Sequence, residues 1–457
     1  MTLLSVYSGA PPQKALLPKW VGSRKDENTG MTGNVPYGNS PKDPQRWVVF
    51  GVISMVYFLV YFHRVAPSVI VPDLLRAFSA EATALGFMAS MYFYPYALEQ
   101  PLVGYLANPL GPRRVVGLWC LGAAVGCGVF GLAPSLGWAA VGRAVIGFGV
   151  GGVFIPAMKA FSQWFPKGEF SGVVGLFLAV GNLGALFATT PLAWTAQEVG
   201  WRPTFLFLGL LSLSLGVVIL ACLRDAPRHL PFRETIDNEQ HTGPGQVRTV
   251  LGTWRFWILF GLFFGVFGSY GTLQSLWATP FLMSALDLER LRASLINTLL
   301  PVGLILGAPT LGRWADRLEG NRVRLLLAVA CCQGAIWILL ALGLGSMSVL
   351  VSSITFLFFG MAAGGLATSF WGVVRAVTPA RHLGITTGLL NPAPFLGSAL
   401  MQVIIGAILD HFGKTGDLYP KEAYQMAFLA CSVAACIPCL VAVLLRRKLH
   451  PQANPAA

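Results

Sequence analysis

The chain has 457 residues, of which 55% are hydrophobic and 11% charged, and its formal net charge is +13. Soluble globular chains carry about 25% charged residues, so a water-soluble fold is excluded and lipid must solvate most of the surface. The positive charge does not indicate nucleic-acid binding, because the basic residues follow the membrane topology. The eight Cys residues lack metal-ligand spacing and are expected to be small buried hydrophobes.

Apolar runs long enough to cross a bilayer occur twelve times. A membrane helix needs ~20 mostly apolar residues, and the chain is therefore predicted to be an all-α membrane protein. We number the predicted spans 1 to 12 in chain order: 48–72, 83–107, 114–133, 137–160, 170–195, 203–223, 256–281, 292–314, 323–343, 347–372, 384–409 and 423–445.

Polar segments divide the spans into two sets of six. Residues 1–46 are polar, lack an apolar signal-peptide core and are predicted to form a disordered cytoplasmic tail. The polar segment 224–255 is predicted to be a cytoplasmic linker between an N-terminal six-helix bundle, 47–223, and a C-terminal one, 256–445. Residues 446–457 are predicted to be a second cytoplasmic tail.

The placement of Lys and Arg predicts the orientation. With the N-terminus inside, 23 of the 32 Lys and Arg residues lie in cytoplasmic segments and 6 in outer loops. The remaining three, Arg64, Arg143 and Lys159, lie within spans. This bias predicts a multi-pass protein of the cell (cytoplasmic or inner) membrane with both termini in the cytoplasm.

The two sets of six also repeat one another. GYLANPLGPRRV (104–115) follows span 2, and GRWADRLEGNRVR (312–324) follows span 8; each has Gly, three residues, Asn or Asp, and then a basic turn. Spans 5 and 11 share a Gly and a Leu-Gly pair at a constant offset of 213 residues. Internal duplication of a six-span unit is typical of transporters, so the two bundles are predicted to be pseudo-symmetric.

The first of these loops resembles the motif of the major facilitator superfamily between spans 2 and 3, Gly-x-Leu-x-Asp-x-x-Gly-Arg-Arg/Lys. Arg143 in GRAVIGFGVGG (142–152) resembles the span-4 motif of the same superfamily. The resemblance covers 48–445 and implies the major facilitator fold and secondary transport.

The resemblance also implies a set of gating residues. In the family the loop Asp joins the Arg pair and caps a neighbouring helix, but this chain has Asn108, which implies a weaker cytoplasmic latch. Arg143 is expected to be structural and to join spans 1, 2 and 4. The expected gating residues are Asn108, Arg113, Arg114, Arg143, Asp316 and Arg317.

Arg64 is the first candidate for substrate binding. YFHRVAPSVIVPDLLRAF resembles the first span of organic-anion porters, in which the Arg pairs with a substrate carboxylate, and Lys159 matches a span-4 Arg of those relatives. Arg64 lies ~24 Å along its predicted helix, too deep to snorkel comfortably, and guanidinium geometry favours carboxylates. The alternatives are an ion pair between Arg64 and Glu99, and a Lys159 side chain that snorkels to the interface.

Glu99 and His63 are the candidates for proton coupling. A lone carboxylate at lipid depth costs several kcal/mol unless it is protonated, paired or wet. A structural pair of Glu99 with Arg64 or Lys159 is the alternative. His63 titrates near neutrality when unperturbed, but it could equally be a hydrogen-bonded packing residue.

The second half offers neutral candidates only, and aromatic side chains there could simply be packing. The expected substrate-binding residues of the whole chain are Tyr61, Arg64, Lys159, Tyr270, Gln274, Trp277 and Asn391.

These features together predict a secondary active transporter that moves a small organic anion, a carboxylate, by proton-coupled alternating access. We expect no enzymatic activity, no cofactor, no bound metal and no nucleic acid. The expected partners are the substrate, protons and the lipid bilayer, around a monomer. Two alternatives stay open: a carrier or exporter of a neutral or zwitterionic metabolite, such as an amino acid or a siderophore, and a transporter-like sensor.

Overall fold

The computed structural model describes residues 44–227, 244–317, 322–343, 348–379, 382–416 and 418–446, apart from the side chains at positions 167, 244, 315 and 316. Most of the predicted tails and the centre of the predicted linker lie outside these residues. The described chain is nearly all helical and forms no strand beyond one isolated bridge. The predicted all-α class is therefore confirmed.

Every predicted span is one helix or a stack of consecutive helices. Span 1 comprises Gln45–Val65 and Pro67–Phe78; span 2, Ala82–Ser90, Phe93–Leu98 and Gln100–Leu106; span 3, Gly111–Gly131; span 4, Leu136–Gly151 and Phe154–Trp164; span 5, Lys167–Phe187 and Thr190–Glu198; span 6, Trp201–Cys222. Within the predicted linker, the helix Pro244–Leu251 was not predicted.

The second half follows the same plan. Span 7 comprises Trp254–Leu262, Gly268–Thr272 and Ala278–Leu286, joined by the π-helical turns Phe263–Phe267 and Leu273–Trp277; span 8, Arg290–Asn297 and Leu299–Arg317; span 9, Arg322–Ala341; span 10, Val349–Val377; span 11, Leu383–Leu390 and Ala393–Phe412; span 12, Lys421–Leu444. Eleven of the twelve have the length and composition to cross a membrane as described, and span 2 differs because it is broken into three short helices.

Proline explains several of these breaks. Pro67 begins the second helix of span 1, Pro101 lies in the first turn of the last helix of span 2, and Pro392 precedes the second helix of span 11. Proline lacks an N–H and clashes with the preceding turn, so helices restart at it. The breaks in spans 1, 2 and 11 lie beside Arg64, Glu99 and Asn391.

Glycine brings the spans of each half into backbone contact. A Cβ atom built at Gly147 in span 4 would lie 2.1 Å from the Tyr92 carbonyl oxygen in span 2. In the second half, one built at Gly397 in span 11 would lie 2.1 Å from the Phe264 carbonyl oxygen in span 7. Small residues allow such close approach of membrane helices. This packing fixes span 4 against span 2 and span 11 against span 7.

Candidate functional site

Aromatic rings surround the Arg64 guanidinium. Its central carbon lies 4.5 Å from the ring centroid of Tyr61, 5.5 Å from that of Tyr96 and 5.1 Å from that of Phe395. The buried Arg64 Nε has no hydrogen-bond partner. The rings stabilise the charge by cation–π attraction, and the unpartnered Nε leaves donor capacity for an anion. We call Arg64 with these three rings the Arg64 cage.

The cage includes both predicted halves. Tyr61 and Tyr96 belong to spans 1 and 2, whereas Phe395 belongs to span 11, and the Phe395 and Tyr96 ring centroids are 4.7 Å apart. Neither Phe395 nor Tyr96 was predicted as a site residue from the sequence. The available signal for Phe395 was its position in the proline-broken segment NPAPF of span 11.

Glu99 lies apart from the Arg64 cage, against spans 3 and 4. Its Oε2 accepts a hydrogen bond from Trp119 Nε1 at 2.8 Å, and its buried Oε1 has no partner. A Cβ atom built at Gly151 would lie 1.7 Å from Oε1, so the glycine makes room for the carboxyl group. No ion pair joins Glu99 to Arg64, although both side chains are described. The alternative pairing of these two residues is therefore not formed.

Arg143 joins spans 1, 2 and 4 around His63. The Arg143 guanidinium donates to the His63 carbonyl oxygen at 2.8 Å and lies 4.8 Å from the Tyr92 ring centroid. The His63 ring is fully buried, with Nε2 at 3.6 Å from the Cys127 sulfur of span 3 and Nδ1 unpartnered. The structure does not bring the two proposed proton carriers, His63 and Glu99, together.

The neutral candidates of the second half line spans 7 and 11. Tyr270 is buried and donates its hydroxyl to the Leu300 carbonyl oxygen at 3.2 Å. Gln274 and Trp277 lie in the second π-helical turn, and Trp277 Nε1 is buried without a partner. Asn391 is the partly exposed residue at the break in span 11. π-Helical turns often occur at functional sites.

Lys159, in span 4, contacts the predicted cytoplasmic end of span 2 and is not part of the Arg64 cage. Its ammonium donates to Asn108 Oδ1 at 2.7 Å and to the Ala107 carbonyl oxygen at 3.0 Å. The helix Phe154–Trp164 starts anew after the break in span 4, and it carries Lys159 toward the loop. Lys159 was predicted to bind substrate, but the structure groups it with a gating residue.

Asp225 supplies a carboxylate beside the predicted latch. Its Oδ1 accepts the backbone N–H of Arg113 at 2.6 Å, and Arg113 Nε donates to the Leu220 carbonyl oxygen at 3.0 Å. Burial raises the pKa of Asp225 above its usual range, although nearby Arg113, Arg114 and Lys159 lower it. Asp225, from a segment after span 6, thus places a carboxylate beside Arg113 that Asn108 does not supply, and the weaker latch implied by Asn108 stays a prediction.

Among the described side chains, the remaining gating candidates lie at the surface. Arg114 and Arg317 are exposed, and the Asp316 side chain lies outside the described part of the structure.

Asp410 joins the two predicted halves at the predicted outer face, and sequence analysis missed it. Its carboxylate, at the end of span 11, accepts the backbone N–H groups of Ala82 and Thr83, each at 2.8 Å. The Thr83 and Tyr419 hydroxyls each donate to it at 2.5 Å. A carboxylate at a helix N-terminus satisfies orphan donors and complements the helix dipole. Asp410 therefore caps span 2 from the opposite half.

Further polar contacts close the same face. Arg290 pairs with Asp73 through two hydrogen bonds of 2.7 and 2.8 Å. The Asn297 amide donates to the hydroxyls of Ser68 and Thr279, each at 3.1 Å. These contacts and those of Asp410 form what we call the outer latch. Because the latch is intact, the structure corresponds to a state that is closed at the predicted outer face.

Comparison with known proteins agrees with this architecture. Residues 53–402 and 276–457 match the Major Facilitator Superfamily. The chain is 25% identical to the probable sulfoacetate transporter SauU of Cupriavidus necator over 81% of this chain and 88% of that one. It is 24% identical to the hexuronate transporter of Escherichia coli over 80% of this chain and 88% of that one.

A solved structure shares the fold. The crystal structure of a bacterial homologue of the human lysosomal transporter Spinster superposes with a TM-score of 0.73 at 16% identity, covering 91% of this chain and all of that one. The predicted major facilitator fold is confirmed, and the assignment is to transport rather than to enzymatic catalysis. The chain belongs to the Major Facilitator Superfamily.

Proposed function

We propose that the protein is a secondary active transporter that moves a small organic anion across the cytoplasmic membrane by alternating access, with both termini in the cytoplasm. The Arg64 cage is the observation that carries this proposal. A guanidinium at the break in span 1, with a buried unpartnered Nε and no carboxylate paired with it among the described residues, is arranged to bind an anion.

The substrate has an anionic end and a neutral polar end in this proposal. Arg64 binds the anionic end, with Tyr61 beside it. Among the described residues of the second half, no charged residue is buried, so Gln274, Trp277 and Asn391 are the candidates for the neutral end. The hexuronate relative supports this class, because a hexuronate combines one carboxylate with neutral hydroxyl groups, whereas the sulfoacetate relative, whose compound is anionic at both ends, supports only an organic anion.

Glu99 carries the coupled proton in this proposal. An ionised carboxylate at lipid depth is costly without a cation, and the partner described for Glu99 is the neutral N–H of Trp119. Burial of the Glu99 carboxyl group costs less free energy when Oε1 carries a proton. Exposure of the Glu99 carboxyl group to water in another state of the transport cycle would release the proton. His63 is a less direct candidate because its buried ring lies between Cys127 of span 3 and Phe205 of span 6, whose ring centroid is 6.1 Å away.

The test is uptake of radiolabelled sulfoacetate and a hexuronate into proteoliposomes, with and without an inward proton gradient. We expect the gradient to raise accumulation in the wild type and to have no such effect in Glu99→Gln. Glu198→Gln, at an exposed glutamate, is the matched control. Gradient-driven accumulation that persists in Glu99→Gln would remove the proton role of Glu99.

A neutral or zwitterionic substrate is the alternative, and the same vesicles distinguish it. Uptake of an uncharged sugar or an amino acid, without competition from either acid, would overturn the organic-anion proposal. Competition by the acids alone is the expected result.

A further inference from the structure

Two free cysteines face each other between spans 9 and 12. The sulfur atoms of Cys331 and Cys439 are 3.1 Å apart, and neither residue is in a disulfide. A disulfide bond is about 2.05 Å long, so about 1 Å of approach converts this contact into a bond. The expectation that the cysteines are small buried hydrophobes does not hold for Cys331 and Cys332, which are exposed.

The surroundings of the pair give the two thiols different roles. Cys331 is exposed on the membrane-facing side, whereas Cys439 is buried with 4% of its surface exposed. Cys436 lies one helical turn before Cys439 and is half-buried. Cys332 is exposed but follows Cys331 in the helix, so its side chain points about 100° away. An oxidant in the membrane reaches Cys331 before Cys439.

We propose that Cys331 and Cys439 are an oxidation site that forms a disulfide between spans 9 and 12, which a dithiol reduces again by thiol–disulfide exchange. A hydroperoxide, such as hydrogen peroxide, oxidises the Cys331 thiol to a sulfenic acid. The O–O bond of the hydroperoxide breaks in this step, and hydrogen peroxide releases one water molecule. The Cys439 sulfur then attacks the Cys331 sulfur, and the hydroxyl leaves with the Cys439 proton as a second water. Two thiols lose two electrons and two protons, which the hydroperoxide takes up.

This disulfide would stabilise one half without blocking transport. Both cysteines belong to the second half, and the outer latch involves spans 1, 2, 7, 8 and 11 and the segment before span 12, so the bond does not cross the interface between halves. It closes a loop between residues 108 positions apart, and long loops give large reductions of unfolded-state entropy. We expect an apparent Tm increase on the order of 5 °C and unchanged uptake.

Peptide mapping of the full-length protein in proteoliposomes tests the proposal. Vesicles are treated with hydrogen peroxide, free thiols are blocked with N-ethylmaleimide, and peptides are analysed by mass spectrometry with and without dithiothreitol. We expect a reducible Cys331–Cys439 cross-link in the wild type and in Cys332→Ser, the matched control. Cys331→Ser should lack the cross-link and leave Cys439 open to alkylation.

Two results would overturn the proposal. One is full alkylation of both cysteines after oxidant in the folded wild type. The other is a cross-link from Cys331 to Cys436, or from Cys332 to either cysteine of span 12, in place of the expected one. The wild-type map alone decides between these outcomes, so the test does not depend on whether the Ser variants fold.

Discussion

Asp410→Asn is the sharpest perturbation of the outer latch. The carboxylate accepts four hydrogen bonds, from the backbone N–H groups of Ala82 and Thr83 and from the hydroxyls of Thr83 and Tyr419. Asn keeps the shape of the side chain, but it removes the charge and replaces one acceptor oxygen with an NH2 group. That NH2 group would face hydrogen-bond donors, so the hydrogen bonds that the replaced oxygen accepted are lost.

The expected magnitude follows from those bonds. Hydrogen bonds to a charged group contribute about 1.5–3 kcal/mol each, so losing the two from Thr83 at the lower value costs about 3 kcal/mol. Because Asp410 and Thr83 belong to opposite halves, the loss falls on the outer-closed state alone. About 3 kcal/mol corresponds to an increase on the order of 100-fold in the ratio of outer-open to outer-closed molecules.

Double electron–electron resonance measures this ratio. Spin labels at Leu132 and Lys421 report on exposed positions at the outer ends of the two halves, in a background where other exposed cysteines are replaced by serine. We expect a longer-distance population to appear in Asp410→Asn. Asp287→Asn is the matched control, because this exposed aspartate lies on the same face in a left-handed conformation that Asn adopts readily.

Identical distance distributions in Asp410→Asn, Asp287→Asn and the parent protein would refute the reasoning. Asp410 would then be a surface carboxylate with no effect on the closure of the outer face.

Two further predictions concern the middle of the membrane and the predicted cytoplasmic face. Phe395→Leu removes a cation–π contact between Arg64 and the opposite half, which is worth about 0.5–2 kcal/mol. The same resonance experiment should therefore show about a 2- to 30-fold rise in the ratio of outer-open to outer-closed molecules. An unchanged ratio contradicts a bridging role for Phe395. Asp225→Asn should lower the free energy of unfolding, measured by thermal unfolding, by about 1–3 kcal/mol. Adding Asn108→Asp, opposite Lys159, to this variant should restore part of the lost stability. No loss in the single variant, or no restoration in the double variant, argues against a shared charge cluster.

Local features of the sequence were sufficient to predict the helices. Apolar length located all twelve spans to within six residues at each end, because a membrane-spanning helix needs a continuous apolar run whatever it packs against. The depth of Arg64 followed from the same count. The breaks at Pro67, Pro101 and Pro392 were visible as prolines, but whether each breaks or merely bends a helix depends on packing.

Contacts between distant segments could not be read in the same way. Asp410 and Ala82 are 328 positions apart, and no local pattern relates them. The contacts of Lys159 with Ala107 and Asn108 likewise join residues 52 and 51 positions apart, and its role in substrate binding stays a prediction. Asp225 was overlooked in a polar linker, where a carboxylate is unremarkable until the fold brings it to Arg113.

Anion binding by Arg64 is the central claim, and equilibrium binding tests it most directly. Scintillation proximity with radiolabelled sulfoacetate or hexuronate on purified protein compares the wild type with Arg64→Gln and with Arg292→Gln, the same change at an exposed arginine. Losing one partner of a buried charge pair costs 2–5 kcal/mol, so Arg64→Gln should weaken binding by about 30-fold or more, while Arg292→Gln should bind like the wild type. Equal affinity in the wild type and in a folded Arg64→Gln protein would contradict the account.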